Sequence, residues 1–426
     1  MTDQALDAWL ARLERRSPES GIRLGLDRVG EVFRRLVIDF GDRPVITIGG
    51  TNGKGSTVAF LERIYQAAGW RPFAYTSPHL VDFHERMRID GQPADDPLIV
   101  QALDRVESAR GDVFLTYFEH ITLAALCVAE ASPVDVLVLE VGLGGRLDAV
   151  NIVDPDVTVV TSIGLDHTEW LGRTRLEVGR EKLGIARSGK PLIVGEKQLP
   201  AGLGDELRRT GATVFRAGQD FRWRAQRHGF TLTLPGRRVG LPEPAMAGRW
   251  QRGNAACAVM AVHTLMDRLP VPDVALATGM KTARLAGRLQ RLSDSPEVLV
   301  DVAHNAAAAR ALAVELGPAK GRSCAVFSAL AGKDVRGIGR ALNSCFDHWL
   351  VAPLAGDRAR SGAELVAELE RIPVKGGVEA VESVSEAIRR ALDRSRPSGR
   401  VVVFGSFRTV AEAWPELKLL RQRLHG

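Results

Sequence analysis

Apolar positions along this chain recur in two rhythms, and the changes between them divide it. Leu6, Trp9, Leu10 and Leu13 fall at helical spacing, which predicts a helix over 3–15. A glycine-punctuated stretch then leads into a second short helix near 27–37. Residues 45–48 are short, β-branched and bounded by Pro44 and Gly49-Gly50, the pattern of a buried strand. Helical spacing returns over 56–68, with Val58, Leu61, Ile64, Tyr65 and Ala68 near one face. Strands at 71–75, 135–140, 157–160 and 191–194 then alternate with helices at 96–109, 118–130 and 176–186. Such alternation argues for a mostly parallel sheet with helices on both faces.

The rhythm changes over 213–239. Short alternating segments around Trp223, Phe230 and Leu232 predict a small antiparallel appendage there. A helix is predicted over 249–269. A second α/β unit begins near Leu289, with a strand at 298–300, a helix at 306–316 and a strand at 325–328. Three further alternations follow, ending in the V-V-V-F strand at 401–404 and a terminal helix. The predicted fold is α/β. A P-loop-containing, mostly parallel sheet domain with a small antiparallel appendage covers 1–285. A smaller Rossmann-like α/β domain covers 286–426.

Composition adds limits. With 426 residues, 45% hydrophobic and 25% charged, the chain matches a globular enzyme with ample core. The net charge of +6 comes from interspersed arginines, not from one basic block with aromatics, so no nucleic-acid partner is expected. Cys127, Cys257, Cys324 and Cys345 are far apart, without C-x-x-C spacing, and read as buried free thiols. The start M-T-D-Q-A-L-D is polar and acidic rather than basic-then-apolar, so no secretory leader is expected, and no apolar run of about 18 residues occurs. A cytoplasmic location and no membrane partner are expected.

The chemistry concentrates where predicted strands end. Between the strand at 45–48 and its helix lies G-G-T-N-G-K-G-S-T. Strand, glycine-rich loop and helix provide bare backbone N–H groups, a positive helix end and an ammonium, as a phosphate loop needs. The pattern G-x-x-x-x-G-K-[ST] is not met, because Gly55 separates Lys54 from Ser56. Ser77, before a proline, offers a hydroxyl at the next strand end. Glu140 tips the strand D-V-L-V-L-E; with Ser77 it suits Mg²⁺. His167 follows in S-I-G-L-D-H-T-E-W. It is a less usual Mg²⁺ ligand, and on the residues alone it reads as a loop histidine bonded to backbone. Asp148 and Asp166 read as turn-forming acids, and Lys182 as solvated or paired with a neighbouring glutamate. In D-V-A-H-N, Asp301 or Asn305 caps the following helix, or Asp301 and His304 face phosphates across a domain cleft.

Together G-T-N-G-K-G-S-T, T-S-P-H-L, T-Y-F-E, E-V-G-L-G-G-R-L-D-A-V-N, S-I-G-L-D-H-T-E-W-L-G, R-E-K-L-G-I, D-V-A-H-N and G-S-F-R-T-V-A-E resemble the folylpolyglutamate synthase/dihydrofolate synthase family, within the Mur-type ATP-dependent amide ligases. The motifs stand in the family's order over roughly 20–415. The resemblance implies ATP-dependent condensation of a pteroate or folate carboxylate with the amine of L-glutamate. The expected small-molecule partners are dihydropteroate, folates, L-glutamate and ATP, and the protein is expected to be a monomer. The implied cofactors are ATP and two Mg²⁺ ions, with a monovalent cation as a further candidate.

Carried over position by position, Thr51, Asn52, Gly53, Lys54, Gly55 and Ser56 would cradle ATP, with Lys54 on the terminal phosphates. Ser77 and Glu140 would hold the first Mg²⁺ and His167 the second. Lys182 matches a lysine that is carbamylated in the family, which turns a repelled ammonium into an anionic oxygen ligand. Asn254 would lie near the adenine, Arg288 and Asp301 would meet the nucleotide, and His304 would lie close to the phosphates as a catalytic residue. Arg23, Leu24, Gly25, Thr116, Tyr117, Phe118, Glu119, Leu147, Asp148 and Ala149 would bind the pterin-bearing substrate. Two departures stand out: Ala306 replaces a usual proline, and S-A-L-A-G-K-D at 328–334 is a variant loop. Other readings are a folylpolyglutamate synthase alone, a related Mur ligase, and, in a different class, a P-loop kinase or nucleotide switch.

Overall fold

A computed structural model describes residues 3–18, 21–319, 321–356, 358–374 and 376–425. The chain divides into two compact units. The first comprises Met1–Ile163, Leu171–Ala245 and Gln251–Arg284. Its eight-stranded sheet runs in the order Gln92–Pro93, Met87–Ile89, Pro72–Tyr75, Val136–Glu140, Val45–Gly49, Val157–Val160, Pro191–Val194 and Thr213–Arg216. The strands at 87–89 and 92–93 are antiparallel edge strands; the other six run parallel. Strands 45–49, 72–75, 136–140 and 157–160 are buried at every position. Parallel strands covered on both faces read as unbroken apolar runs, which is why these were legible one by one.

The helix after the phosphate loop spans Lys54–Ala67, two residues ahead of its predicted start. It is not one-faced. Gly55 to Glu62, Ile64 and Tyr65 are all buried, because the helix packs against the sheet and against helices Gln251–Thr264 and Asp273–Thr282. Helix 273–282 has no counterpart in the sequence reading. Its Gly279 weakens helical propensity but permits close approach: a β-carbon there would stand 2.4 Å from Ile64 Cγ1. Glu62, buried on the central helix, is held by Arg88 Nε at 2.9 Å and Nη2 at 3.0 Å. The opposite face of the sheet carries the core of Phe73, Tyr75, Leu137 and Leu139 with Ile99, Leu103, Leu123 and Leu126.

The antiparallel appendage consists of Arg222–Gln226, Gly229–Leu234 and Arg237–Leu241. Thr213–Arg216, grouped with it by sequence, instead pairs in parallel with Pro191–Val194 and closes the main sheet. The second unit comprises Gly164–Trp170, Met246–Trp250 and Leu285–Gly426. Its six strands run in the order Gln290–Asp294, Glu297–Val300, Arg400–Phe404, Ser323–Phe327, His348–Val351 and Val378–Ala380. Only the first is antiparallel. Phe327, Phe346, Trp349 and Phe404 form its aromatic centre. A single cut near 285 does not describe this division, since two short segments from earlier in the chain group with the second unit. Contacts explain it: Glu315 accepts the Arg249 N–H at 2.8 Å, and Trp250 packs on the second core. The four cysteines are free and buried. Among the described residues no helix is long and apolar enough to cross a membrane.

Candidate active site

The loop after strand 45–49 is shaped by two glycines. Gly50 has φ +146°, and a β-carbon on it would lie 1.9 Å from Thr161 Oγ1. Gly53 has φ +90°, and a β-carbon there would lie 2.3 Å from Asn254 Oδ1. Only glycine combines such torsions with such closeness. Thr51 N–H donates to Ser162 O at 3.0 Å, and Asn52 N–H to Ser162 Oγ at 2.9 Å. Thr161 Oγ1 donates to Asn52 O at 2.7 Å. The helix then starts at Lys54 with no side-chain cap on its first turn, the arrangement of an anion-binding helix end. Lys54 Nζ donates to Gly50 O at 3.2 Å, so its ammonium lies over the loop. Gly55 and Ser56 belong to the helix and are buried. Asn254, on helix 251–264, is fixed by its Nδ2 donating to Gln251 Oε1 at 2.9 Å. Of the predicted neighbours of ATP, residues 51–56 and Asn254 thus meet in the first unit around one loop, whereas Arg288 and Asp301 belong to the second unit.

Sheet register gathers the next set. Ile48 pairs with Glu140, and Tyr75 with Leu139. The ends of three adjacent parallel strands therefore share one sheet edge, and they carry the loop, Glu140 and Ser77. That edge is where open α/β sheets bind ligands. Glu140 is buried and Ser77 half-buried, and the Ser77–Pro78 peptide is cis. Lys182 is only 3% exposed, so its default reading as a solvated lysine fails. Its helix, Arg175–Leu183, stops three residues before the predicted end. Gly184 follows, where a β-carbon would stand 2.4 Å from Arg146 Cβ. The loop 141–149 presses on that helix end: Arg146 N–H donates to Glu181 O at 2.8 Å, and Asn151 Nδ2 donates to Arg146 O at 2.9 Å and to Gly184 O at 3.1 Å. Among the described residues no group of three or more His, Cys, Asp or Glu side chains is gathered to hold a metal. The expected set is of another kind, with one hydroxyl, one carboxylate, one imidazole and one lysine.

The three substrate segments also meet. Gly25 N–H donates to Leu147 O at 3.3 Å. Arg28, which sequence reasoning passed over, donates from Nη2 to Arg23 O at 3.0 Å and to Glu119 Oε1 at 2.8 Å. Glu119 also closes a capping box with Thr116 at the start of helix Tyr117–Ala131. Phe118 lies against Gly142, where a β-carbon would come within 2.5 Å of its ring. Arg23 stands over the Phe114 ring at 4.9 Å, and Leu24 is half-buried. Asp148 caps backbone, accepting N–H bonds from Leu143 at 2.8 Å and Val150 at 3.0 Å, just before the buried Ala149. Burial pushes the Asp148 carboxyl up to about 6, against those N–H groups and the nearby Lys54 charge.

In the second unit, Asn305 caps helix Ala306–Leu316, accepting from Ala308 N–H at 2.9 Å. Ala306 therefore begins that helix without the usual proline. Asp301 is not the cap. It accepts N–H bonds from Leu289 and Ala303, both at 2.7 Å. Burial raises its pKa, opposed by the Arg288 charge and these bonds. Arg288 lies over the Phe407 ring at 5.1 Å. His304 has both nitrogens engaged inside the unit: Nδ1 donates to Val302 O and Nε2 to Asp166 Oδ2, each at 2.9 Å. That differs from an imidazole presented to phosphates. Asp166 also receives Asn305 Nδ2 at 3.1 Å and Lys333 Nζ at 2.5 Å. Burial works to raise the Asp166 pKa. The His304 bond and the charges of His304 and Lys333 outweigh it and hold the carboxyl far below its usual range. His167, at φ +49°, belongs to this unit by its contacts, with Nε2 3.4 Å from Lys333 Nζ. Sequence reasoning left Lys333 unassigned, although a G-K pair soon after strand Ser323–Phe327 is the signal that singled out Lys54.

Known proteins match along the whole of this frame. Residues 48–261 match the Mur ligase middle domain, and residues 287–407 the Mur ligase, glutamate ligase domain. The dihydrofolate synthase/folylpolyglutamate synthase of Escherichia coli is 42% identical over 95% of this chain and 94% of that one. The structure of E. coli FolC in complex with DHPP and ADP superposes with a TM-score of 0.90 at 41% identity, covering 98% of each chain. A bifunctional folylpolyglutamate synthase/dihydrofolate synthase with Mn, AMPPNP and L-glutamate bound gives 0.87 at 39% identity over 97% of this chain and 98% of that one. The resemblance carried by the strand-tip motifs is therefore one of descent: this chain belongs to the Mur ligases, within the dihydrofolate synthase/folylpolyglutamate synthase family.

Proposed function

We propose that this protein joins L-glutamate to dihydropteroate, making dihydrofolate, and adds L-glutamate to folates, at the expense of ATP. A carboxylate has no usable leaving group. Its oxygen therefore attacks the γ-phosphorus of ATP, ADP departs, and an acyl phosphate remains. The glutamate amine then attacks the acyl carbon, phosphate leaves with the electron pair of the C–O bond, and the nitrogen loses a proton. Alignment and charge neutralisation are what such a reaction asks of a protein. What supports this reading is the junction of three distant stretches, Gly25 to Leu147 and Arg28 to Glu119. It gathers the segments expected to bind the pterin, and the parallel pairing of strands 45–49 and 136–140 brings the ends from which the loop expected to bind ATP and the loop 141–149 start to one sheet edge.

In this reading the backbone of 51–56 and Lys54 neutralise and orient the triphosphate, and Asn254, Arg288 and Asp301 contact the nucleotide. Ser77 and Glu140 hold one Mg²⁺, His167 holds a second, and Lys182 serves as a carbamate. The donor chemistry fits hard ions, with a buried carboxylate and a hydroxyl at neighbouring strand ends. Bound divalent ions would offset phosphate charge during transfer. The protein acts as a cytoplasmic monomer.

Purified protein given ATP, Mg²⁺, L-glutamate and dihydropteroate is expected to yield dihydrofolate, read by mass, with one ADP per amide bond. Extension of tetrahydrofolate without any dihydrofolate would select a folylpolyglutamate synthase alone. ADP release without amide product would overturn the ligase reading.

A further inference from the structure

His304, the histidine of D-V-A-H-N, has no ring nitrogen left over for a substrate. Both its partners are oxygens that accept, the Val302 carbonyl and the Asp166 carboxylate. Asn305 follows the same plan. Its Oδ1 caps the helix at 2.9 Å, while its Nδ2 donates to Asp166 Oδ2 at 3.1 Å. Lys333 Nζ donates to Asp166 Oδ1 at 2.5 Å. That oxygen also accepts the N–H of His167 at 2.9 Å. Four donors from three stretches of chain thus converge on one carboxylate whose side chain is 8% exposed. Asp166 sits in the segment Gly164–Trp170, immediately before the proposed metal ligand His167. An ammonium can only donate, so the Lys333 contact at 3.4 Å makes His167 Nε2 an acceptor. A divalent ion would take that same lone pair.

We propose that His304 and Asn305 are positioning residues that act through Asp166: they form a socket that fixes the segment 164–170 and so orients His167 for a divalent ion. This deepens the reading of His167 as a metal ligand and rests on it. The D-V-A-H-N motif is then required because it holds a metal-bearing segment, not because its imidazole touches phosphate. Groups that orient a metal ligand typically cost 10- to 100-fold in metal affinity when removed.

The test compares His304→Ala, Asp166→Asn, Asp166→Ala, His167→Ala and the double variant His304→Ala/Asp166→Asn in the full chain. Two quantities are read: Mn²⁺ binding in the presence of ADP, from the loss of the free-Mn²⁺ EPR signal, and turnover as a function of Mg²⁺. Each socket variant is expected to weaken Mn²⁺ binding about 10-fold or more. Each should also raise the Mg²⁺ needed for half-maximal turnover, with most of kcat recovered at saturating Mg²⁺. The double variant should be no worse than the poorer single one. His304→Ala with unchanged Mn²⁺ binding and a kcat that excess Mg²⁺ does not restore would overturn the proposal in favour of direct catalysis. Independent, multiplicative losses in the double variant would also overturn it. Asp166→Asn keeps the side-chain shape, so the comparison stands even where Asp166→Ala fails to fold. If His167→Ala itself binds Mn²⁺ normally, the metal reading of His167 falls and takes the socket with it. If only His167→Ala is impaired, the socket alone is wrong.

Discussion

Asp148 in the first unit and Asp166 in the second are both buried acids in loops that follow parallel strands, yet they are pushed in opposite directions. Asp148 faces backbone N–H groups, and burial wins: its carboxyl is raised to about 6. Asp166 faces an imidazole, an ammonium and an amide, and these outweigh burial. Backbone dipoles stabilise a buried charge only in part, whereas cationic side chains within hydrogen-bond reach stabilise it strongly. The contrast extends to the surroundings. The polar site of the first unit is shaped mainly by main chain: the loop, strand ends, the turn at 145–148 and uncapped helix N–H groups. The polar cluster of the second unit is made by side chains brought together from positions 166, 304, 305 and 333.

If that contrast is right, removing a charge should hurt most in the second unit, and moving backbone should hurt most in the first. The largest effect is expected from Lys333→Met. Deleting one partner of a buried ion pair typically costs about 3 kcal/mol, read as a lower transition in chemical denaturation followed by tryptophan fluorescence. A loss below about 1 kcal/mol would mean that His304 and Asn305 satisfy Asp166 unaided, and the cluster would be less interdependent than its geometry implies.

Gly50→Ala comes next. The new methyl must displace Thr161, whose Oγ1 holds the loop through Asn52 O, and the backbone must leave φ +146°. Misplacing the phosphates by an ångström is enough to lower turnover on the order of 100-fold. Steady-state kinetics with ATP varied would show it, and near-normal kinetics would break the claim that main-chain shape governs this loop.

The smallest effect concerns pH. A carboxyl raised from 3.8 to about 6 in the folded state keeps its proton after the unfolded chain has lost it. Stability should therefore fall as pH rises through the window from about 4 to 6 and level off above it. Asp148→Asn has no such proton to lose. Its unfolding free energy should fall less than that of the wild type between pH 4 and 6.5, whatever fixed cost the missing acceptor imposes. Equal pH slopes in the two proteins would show that Asp148 is ionised throughout.

Much of this molecule was legible in its sequence where the relevant interactions are local. The strands 45–49, 136–140 and 157–160 are apolar runs whose burial on both faces follows from the α/β alternation. The loop 49–57 announces itself through glycines that its own torsions require. Ser77, Glu140 and Lys54 stand at strand ends, and parallel register alone brings strand ends to one edge. Gly184 ended a helix earlier than its apolar rhythm suggested, because that rhythm does not register the loop pressing on it. Thr213–Arg216 looked like part of the appendage because a short alternating strand carries no mark of its partner.

The sequence by itself determined the fold class, the two α/β units, the phosphate loop and, through motifs in family order, the ligase family. Each depends on periodicity or on residues a few positions apart. Only the tertiary structure decided that Asp166 answers to His304, 138 positions away, and to Lys333, 167 positions away. It alone assigned residues 164–170 to the second unit, buried Lys182 and joined Gly25, Leu147, Arg28 and Glu119. The physical reason is common to all of these. A side chain's protonation, burial and partners are set by what folding brings against it, and a linear pattern records only its neighbours in the chain.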